Sequence, residues 1–277
     1  MDHASDILRI ISTRKAAGEP FAVATVVRTV AATAAKAGAK AVILPDGTIS
    51  EGWIGGGCAR AAVLKAARDA LADGKSRLVS VQPPDLLDQQ GHTSGEEQDG
   101  VRFAKNMCPS QGTMDIFVEP VLPRSQVIIC GSSPVAIAVA DFAKRAGFAV
   151  TGCAPADEQA AFGDIDRRIE GYALPVDEPG SRYIVISTQG KGDEPALLAA
   201  LAVDADYIAF VGSRKKAEAL KSSLASRGVS EERLARLKTP AGLDIGAITP
   251  EEIAISILAE IVAVQRRKDT RTSPTTA

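Results

Sequence analysis

The chain has 277 residues, a formal net charge of −2, and 45% hydrophobic residues with only 4% aromatic. A charge so close to neutral excludes a general nucleic-acid binder, and a core poor in aromatics must be built from Ala, Val, Ile and Leu, as in α/β domains. The length suits two domains of ordinary size.

No run approaches the roughly 20 apolar residues that cross a bilayer, and MDHASDILRI carries early acids where a signal peptide is basic and then apolar. A cytoplasmic protein with no membrane association is expected. The four cysteines, Cys58, Cys108, Cys130 and Cys153, form no CxxC pair, so each is expected to act as a thiol or a ligand and not in a disulfide framework.

In chain order, residues 4–17 place Ile7, Leu8 and Ile11 on one helical stripe, and FAVATVVRT after Gly18 and Pro20 reads as a buried strand. KAVILPDGTISEGW gives two strands around Pro45-Asp46-Gly47, a hairpin in which Gly47 is free to take positive φ. Val63, Ala66, Ala67, Ala70 and Leu71 recur at helical spacing up to Gly74, and RLVSVQ is a further strand. Residues 83–100 are polar, turn-rich and without period, which predicts a long loop. TMDIFVEP alternates Met114, Ile116 and Val118 with Asp115, Phe117 and Glu119, the pattern of a half-buried strand.

EPVLPRS, Glu119 to Ser125, reads as a linker, so the boundary is set between a domain of residues 1–121 and one of residues 122–277. The second alternates strand and helix: QVIIC, a loop at GSSPVA, a helix to about Arg145, FAVTGC, then RYIVIST, a helix over 193–202, and YIAFVG. This implies a parallel sheet with right-handed crossovers. Thr249, Pro250 and Glu252 give an N-cap, an N1 proline and a capping-box acid for a helix from 250 to about Arg267, with RKDTRTSPTTA beyond it as a tail. The fold class is therefore α/β, an N-terminal mixed α/β domain followed by a Rossmann-like parallel-sheet domain.

Several motifs carry chemistry. In EGWIGGGCARAA, Gly55, Gly56 and Gly57 precede a helix whose first turn holds Cys58. Glycines at a helix N-terminus let an anion approach unpaired N–H groups, and the helix field favours a thiolate; a tight turn with Cys58 packed as a small hydrophobe fits the same spacing. A second cysteine, Cys108 in NMCPSQG, also sits in a turn before a strand. If the two loops flank one cleft, the thiols offer soft ligands or a sulfur-handling pair. With His3 and His92 the only imidazoles, a zinc site is not expected.

VIICGSSPVA stands where a dinucleotide loop belongs, with Gly131 in place but Ser133 and Ala136 where GxGxxG needs glycine. Ser132 and Ser133 are candidate donors to a pyrophosphate. No acid ends the next strand, since FAVTGCAP reaches Pro155 before Asp157. Cys130 and Cys153 each end a strand and are expected to be buried. In VGSRKK, Gly212, Ser213 and Arg214 open a helix with positive charge, which an anionic ligand or a carboxylate partner would explain; a solvated basic face fits the same residues.

Taken together, ATVVRT…GAKAVILPDGTISEGWIGGGCARAAVLKAA, MCPSQGTMDIFVEP and YIAFVGSRKK…TPAGLDIGAITPEEIAISILAEIVAVQRR resemble the XdhC/CoxI family, and the lack of a long insertion resembles its CoxF-like members. These are maturation factors for molybdenum hydroxylases of the xanthine dehydrogenase and carbon monoxide dehydrogenase type. The resemblance implies a non-enzymatic chaperone that binds the molybdenum cofactor, assists its sulfuration with a cysteine desulfurase, and delivers it to the apo molybdenum hydroxylase. Carried over, Gly56, Gly57 and Cys58 match the family's GGC turn, and Cys108, Ser110 and Gly112 its second cysteine-glycine loop. The second domain is then a candidate FAD or NAD(P) binder, and a flavin- or NAD(P)-dependent oxidoreductase is the alternative. Three positions depart from the family pattern: Arg60 replaces a common Glu, GSSPVA replaces Gly-Ala-Gly-His-Val, and Thr188-Gln189-Gly190-Lys191 replaces Thr-His-x-His. The long aliphatic terminal helix makes a homodimer reasonable.

Overall fold

The structure, a computed structural model, describes residues 3–109, 111–176 and 180–271. The chain divides into two compact units, residues 1–123 and 124–277.

The first unit contains α1 (His3–Ala16), β1 (Phe21–Val30), β2 (Lys40–Ile43), β3 (Ile49–Gly52), α2 (Gly57–Asp73), β4 (Arg77–Gln82), α3 (Pro84–Gln90), β5 (Glu97–Gln98), β6 (Val101–Lys105) and β7 (Thr113–Val121). Its seven strands form one mixed sheet, ordered β3-β2-β1-β7-β4-β6-β5, in which only β4 and β6 pair in parallel. Val63, Ala66, Ala67 and Ala70 of α2 pack on Ala22, Ala24, Val79, Ile116 and Val118, as their spacing requires. Gly74 takes the left-handed conformation that ends this helix, and Gly47 (φ +86°) turns the β2–β3 hairpin. Ile7, Ile10 and Ile11 of α1 cover Phe21, Val23 and Val42 on the other face. The expected stripe was one residue off, because Leu8 points outward and Ile10 takes its place at i+3 from Ile7.

Strand β1 is buried through Val26, but an irregular register between Val26 and Arg28 follows, and Val27 and Val30 are exposed. Residues 83–100 are not a continuous loop: they hold α3 and β5. Only Leu87 of α3 is buried, so helical periodicity is silent there, and the His92 ring that follows stacks on Phe103 at 3.8 Å.

The second unit contains β8 (Gln126–Cys130), α4 (Pro134–Arg145), β9 (Ala149–Ala154), a 3-10 turn (Ala156–Ala161), β10 (Arg167–Glu170), β11 (Arg182–Ile186), α5 (Asp193–Ala202), β12 (Tyr207–Phe210), α6 (Arg214–Ser226), α7 (Glu231–Ala235), β13 (Leu237–Lys238) and α8 (Pro250–Arg271). Every strand pair is parallel. The order β10-β9-β8-β11-β12-β13 is that of a doubly wound Rossmann sheet, with the switch point between β8 and β11. Val139 and Ala143 of α4 and Ala254 and Ile257 of α8 cover one face, while Leu197 of α5 and Ala217 of α6 cover the other. Strands β10 and β13 were not foreseen; both are edge strands with few buried residues. The capping box at α8 forms as expected: Thr249 Oγ1 accepts from Glu252 N (3.3 Å) and Glu252 Oε2 accepts from Thr249 N (3.0 Å). The helix runs on to Arg271, four residues further than its pattern predicts, and the remainder of the tail lies outside the described residues.

Candidate functional site

In the first unit, β1 and β6 end, and β7 and α2 begin, at one end of the sheet. There the glycine turn and the Cys108 loop line one concavity of about 340 Å³, together with Thr33 and Asn106. Gly56 is the N-cap of α2 and no side chain caps this helix. A Cβ at Gly56 or Gly57 would meet nothing within 4 Å, so the backbone is open to a ligand on this side. Gly55 (φ +109°) supports the turn from behind, against Met114. Cys58 is the second residue of α2; its side chain, and the whole of Ser110, lie outside the described residues.

Asn106 shapes the second loop. Its Nδ2 donates to Gly112 O (2.6 Å), its Oδ1 accepts from Cys108 N (3.0 Å), and Gln111 N donates to Cys108 O (3.0 Å). The loop is tied to the chain after β1 by a bridge between Ala32 and Gln111, and a Cβ on Gly112 would collide with the Ala32 carbonyl. Glycine at 112 is thus needed for a close backbone approach, while Cys108 stays exposed at the rim. Asn106 escaped the reading of the sequence; an Asn two residues before a turn residue is an Asx-turn signal that could have found it. The donor set, open helix-terminal N–H groups beside a thiol, fits a ligand that joins an anionic group to a soft metal.

In the second unit, Gly131, Ser132 and Ser133 sit at the switch point, but their polar groups are engaged within the chain. Gly131 (φ +104°) lies so close to Ser187 and Thr188 that a Cβ would overlap their backbone. Ser133 caps α4 by accepting from Ala136 N (3.1 Å) and pairs with Ser187 Oγ at 2.6 Å. Ser132 Oγ donates to Glu158 Oε2. The acid missing from the end of β9 is therefore present, four residues beyond Ala154 on the 3-10 turn. A carboxylate at Ser132 repels a pyrophosphate, so these residues as arranged do not fit the phosphates of a dinucleotide.

Across the switch point, Asp193 opens α5. Burial works against its ionisation but is outweighed by hydrogen bonds from Lys216, Thr188 and the Gly190 N–H and by the Lys216 charge, so its carboxyl is held below the ordinary value of 3.8. Lys216 Nζ stands 2.5 Å from Asp193 Oδ2. This is the carboxylate partner expected for part of the basic first turn of α6, where Ser213 is the N-cap. Arg214 has no ion-pair partner among the described residues. It lines, with Gly212, a separate cavity of about 720 Å³ bounded by the 238–247 segment. Gly212 is required by the Phe210 ring, which a Cβ would strike.

Cys130 and Cys153 are register partners on β8 and β9 and are fully buried, as expected. Hydrogen bonding to Cys153, with burial second, pushes the Cys130 thiol well above its ordinary range. Cys130 therefore stays protonated, and both side chains act as packing groups of the sheet interior. Among the described residues no cluster of three or more His, Cys, Asp or Glu can hold a metal, and no helix is long and apolar enough to cross a membrane.

Comparison with known proteins finds relatives of this chain. The chain is 28% identical over 264 residues to the YqeB protein of Escherichia coli (strain K12), covering 89% of this chain and 44% of that protein. It is 26% identical over 163 residues to a probable xanthine dehydrogenase subunit of Bacillus subtilis (strain 168), covering 56% and 47%. The chain thus spans less than half the length of these curated relatives. A crystal structure described as a xanthine dehydrogenase from Bacillus halodurans aligns over 99% of this chain and 98% of its own, at 20% identity and a TM-score of 0.46. The model described as the XdhC Rossmann domain matches residues 127–261, and the model of the XdhC and CoxI family matches residues 15–82. The chain belongs to the XdhC and CoxI family.

Proposed function

We propose that this chain is a maturation factor for a molybdenum hydroxylase, that it binds the molybdenum cofactor at the concavity between the glycine turn and the Cys108 loop, and that it assists sulfuration and insertion. Family membership supports the general role, and the relative named as a xanthine dehydrogenase component supports a hydroxylase of that type as the partner. The single observation that carries the site is the meeting of the two loops around one cavity, since each alone reads equally well as a turn.

The cofactor, a pterin dithiolene bearing a phosphate and the metal, supplies the sulfido chemistry once it reaches the target enzyme. This chain's part is to hold it. Gly56 and Gly57 present backbone donors to the phosphate at the positive end of α2. Cys108, fixed in its turn by Asn106, offers a sulfur at the rim, and Cys58 is assigned as the second thiol, in sulfur relay or next to the metal. A cysteine desulfurase is the sulfur source in this reading, and the apo-hydroxylase the acceptor.

Native mass spectrometry with metal analysis, on protein made in cells that synthesise the cofactor, tests it directly. The expected result is a bound pterin species and molybdenum in the wild type, both lost in Cys108→Ser and in Cys58→Ala with the fold retained by circular dichroism. Wild-type levels of bound pterin in both variants would overturn the assignment of this site.

A further inference from the structure

The second unit holds the larger of these cavities, about 720 Å³, a size typical of small-molecule sites (about 300–1,000 Å³). Its floor is a closed charge cluster. Glu260, 3% exposed, accepts from Tyr207 Oη (2.6 Å) and Gly242 N (3.0 Å) and pairs with Lys238 Nζ. That pair neutralises itself. Of the other charged lining residues, Arg214 and Asp244 have no ion-pair partners among the described residues. Thr239 Oγ1 is buried in the same lining with no hydrogen-bond partner, and Val211, Leu243 and Ile253 add apolar surface. A buried hydroxyl left unpaired is destabilising, a cost that a polar ligand removes.

We infer that this cavity is a binding site for a nucleoside monophosphate-class ligand, with its phosphate on Arg214. The guanidinium fork matches a phosphate monoester. Asp244 accepts from a hydroxyl or amino group, Thr239 Oγ1 pairs with a further polar atom, and the apolar wall packs the base. In an ordinary dinucleotide fold the phosphates lie on the loop after the first strand. Here Glu158 holds Ser132 of that loop, so the anion moves to the β12–α6 loop, where Arg214 stands without an ion-pair partner among the described residues. One open guanidinium serves one phosphate group, which selects a mononucleotide over a dinucleotide. The site is independent of the pterin site in the first unit.

Isothermal titration of the full chain with AMP, GMP, CMP and UMP, and with the four corresponding nucleosides and inorganic phosphate as partial probes, tests the inference. At least one monophosphate is expected to bind more tightly than its nucleoside or than phosphate alone. Arg214→Ala should weaken that monophosphate about tenfold or more while leaving nucleoside binding unchanged. Asp244→Asn should weaken nucleotide and nucleoside alike, and Glu158→Gln should change neither. Arg214, Asp244 and Glu158 lie outside the packed core, and circular dichroism checks each variant's fold. No saturation by any of the four monophosphates at millimolar concentration overturns the inference. Binding that ignores Arg214→Ala but strengthens in Glu158→Gln also overturns it, by placing the phosphate on the β8 loop.

Discussion

Replacing Glu260 separates the worth of a buried acceptor from that of its charge. Tyr207 and Gly242 both donate to Oε2, whereas Lys238 pairs with Oε1. In Glu260→Ala, Tyr207 Oη loses its acceptor and Gly242 N keeps only a long bond to Tyr207 Oη (3.4 Å), at about 1–3 kcal/mol each, and a small void is left. Lys238 is 47% exposed, so its freed charge rehydrates and adds less than about 1 kcal/mol. The expected total is about 3–5 kcal/mol. Glu260→Gln can place its carbonyl oxygen at the Oε2 position and keep both donors satisfied, losing only the half-exposed pair, about 1 kcal/mol. Urea denaturation by circular dichroism gives the two totals, and hydrogen exchange should localise the loosening to β12, residues 238–242 and the matching turn of α8. Equal losses in the two variants would refute this reasoning, since they would put the energy in the Lys238 charge and not in the buried donors.

Two further outcomes are expected. Burial pushes the Tyr207 phenol up to about 12, so between about pH 10 and 12 the unfolded chain releases a proton that the folded chain keeps. Stability is complete below that window and falls with rising pH by up to about 1.4 kcal/mol per unit; urea midpoints across it should fall less steeply in Tyr207→Phe. Gly131→Ala forces a side chain into positive φ and against Ser187, for a loss of about 2–5 kcal/mol. A thermal midpoint equal to wild type would remove close packing as the reason for this glycine.

The parts of this molecule that sequence made legible are those held by local rules. The α8 capping box needs only residues 249–252, the β2–β3 hairpin only Gly47 and its neighbours, and α2 shows its buried stripe because one face of it packs across the central strands of its sheet. Where burial is sparse the signal fades: α3 buries one leucine, and its exit is fixed by a ring stack between His92 and Phe103, eleven positions apart. The two glycine-cysteine loops could each be seen, but their meeting depends on the β1–β7 register and the Ala32–Gln111 bridge, which no local pattern encodes. Glu158 was overlooked for a related reason. The rule places an acid at the strand end, and here the 3-10 turn carries it back to Ser132 from four residues further on.

The paired thiols of β8 and β9 have a practical consequence. Cys130 and Cys153 lie on adjacent inner strands of the Rossmann sheet with no solvent exposure, whereas Cys108 sits at an open rim. A mild alkylating reagent should therefore label Cys108 at once and the inner pair only when the sheet opens. Their slow alkylation is a built-in clock for the opening of the second unit, read by mass spectrometry with no engineered label. A ligand that favours the closed sheet slows that clock in proportion to its occupancy.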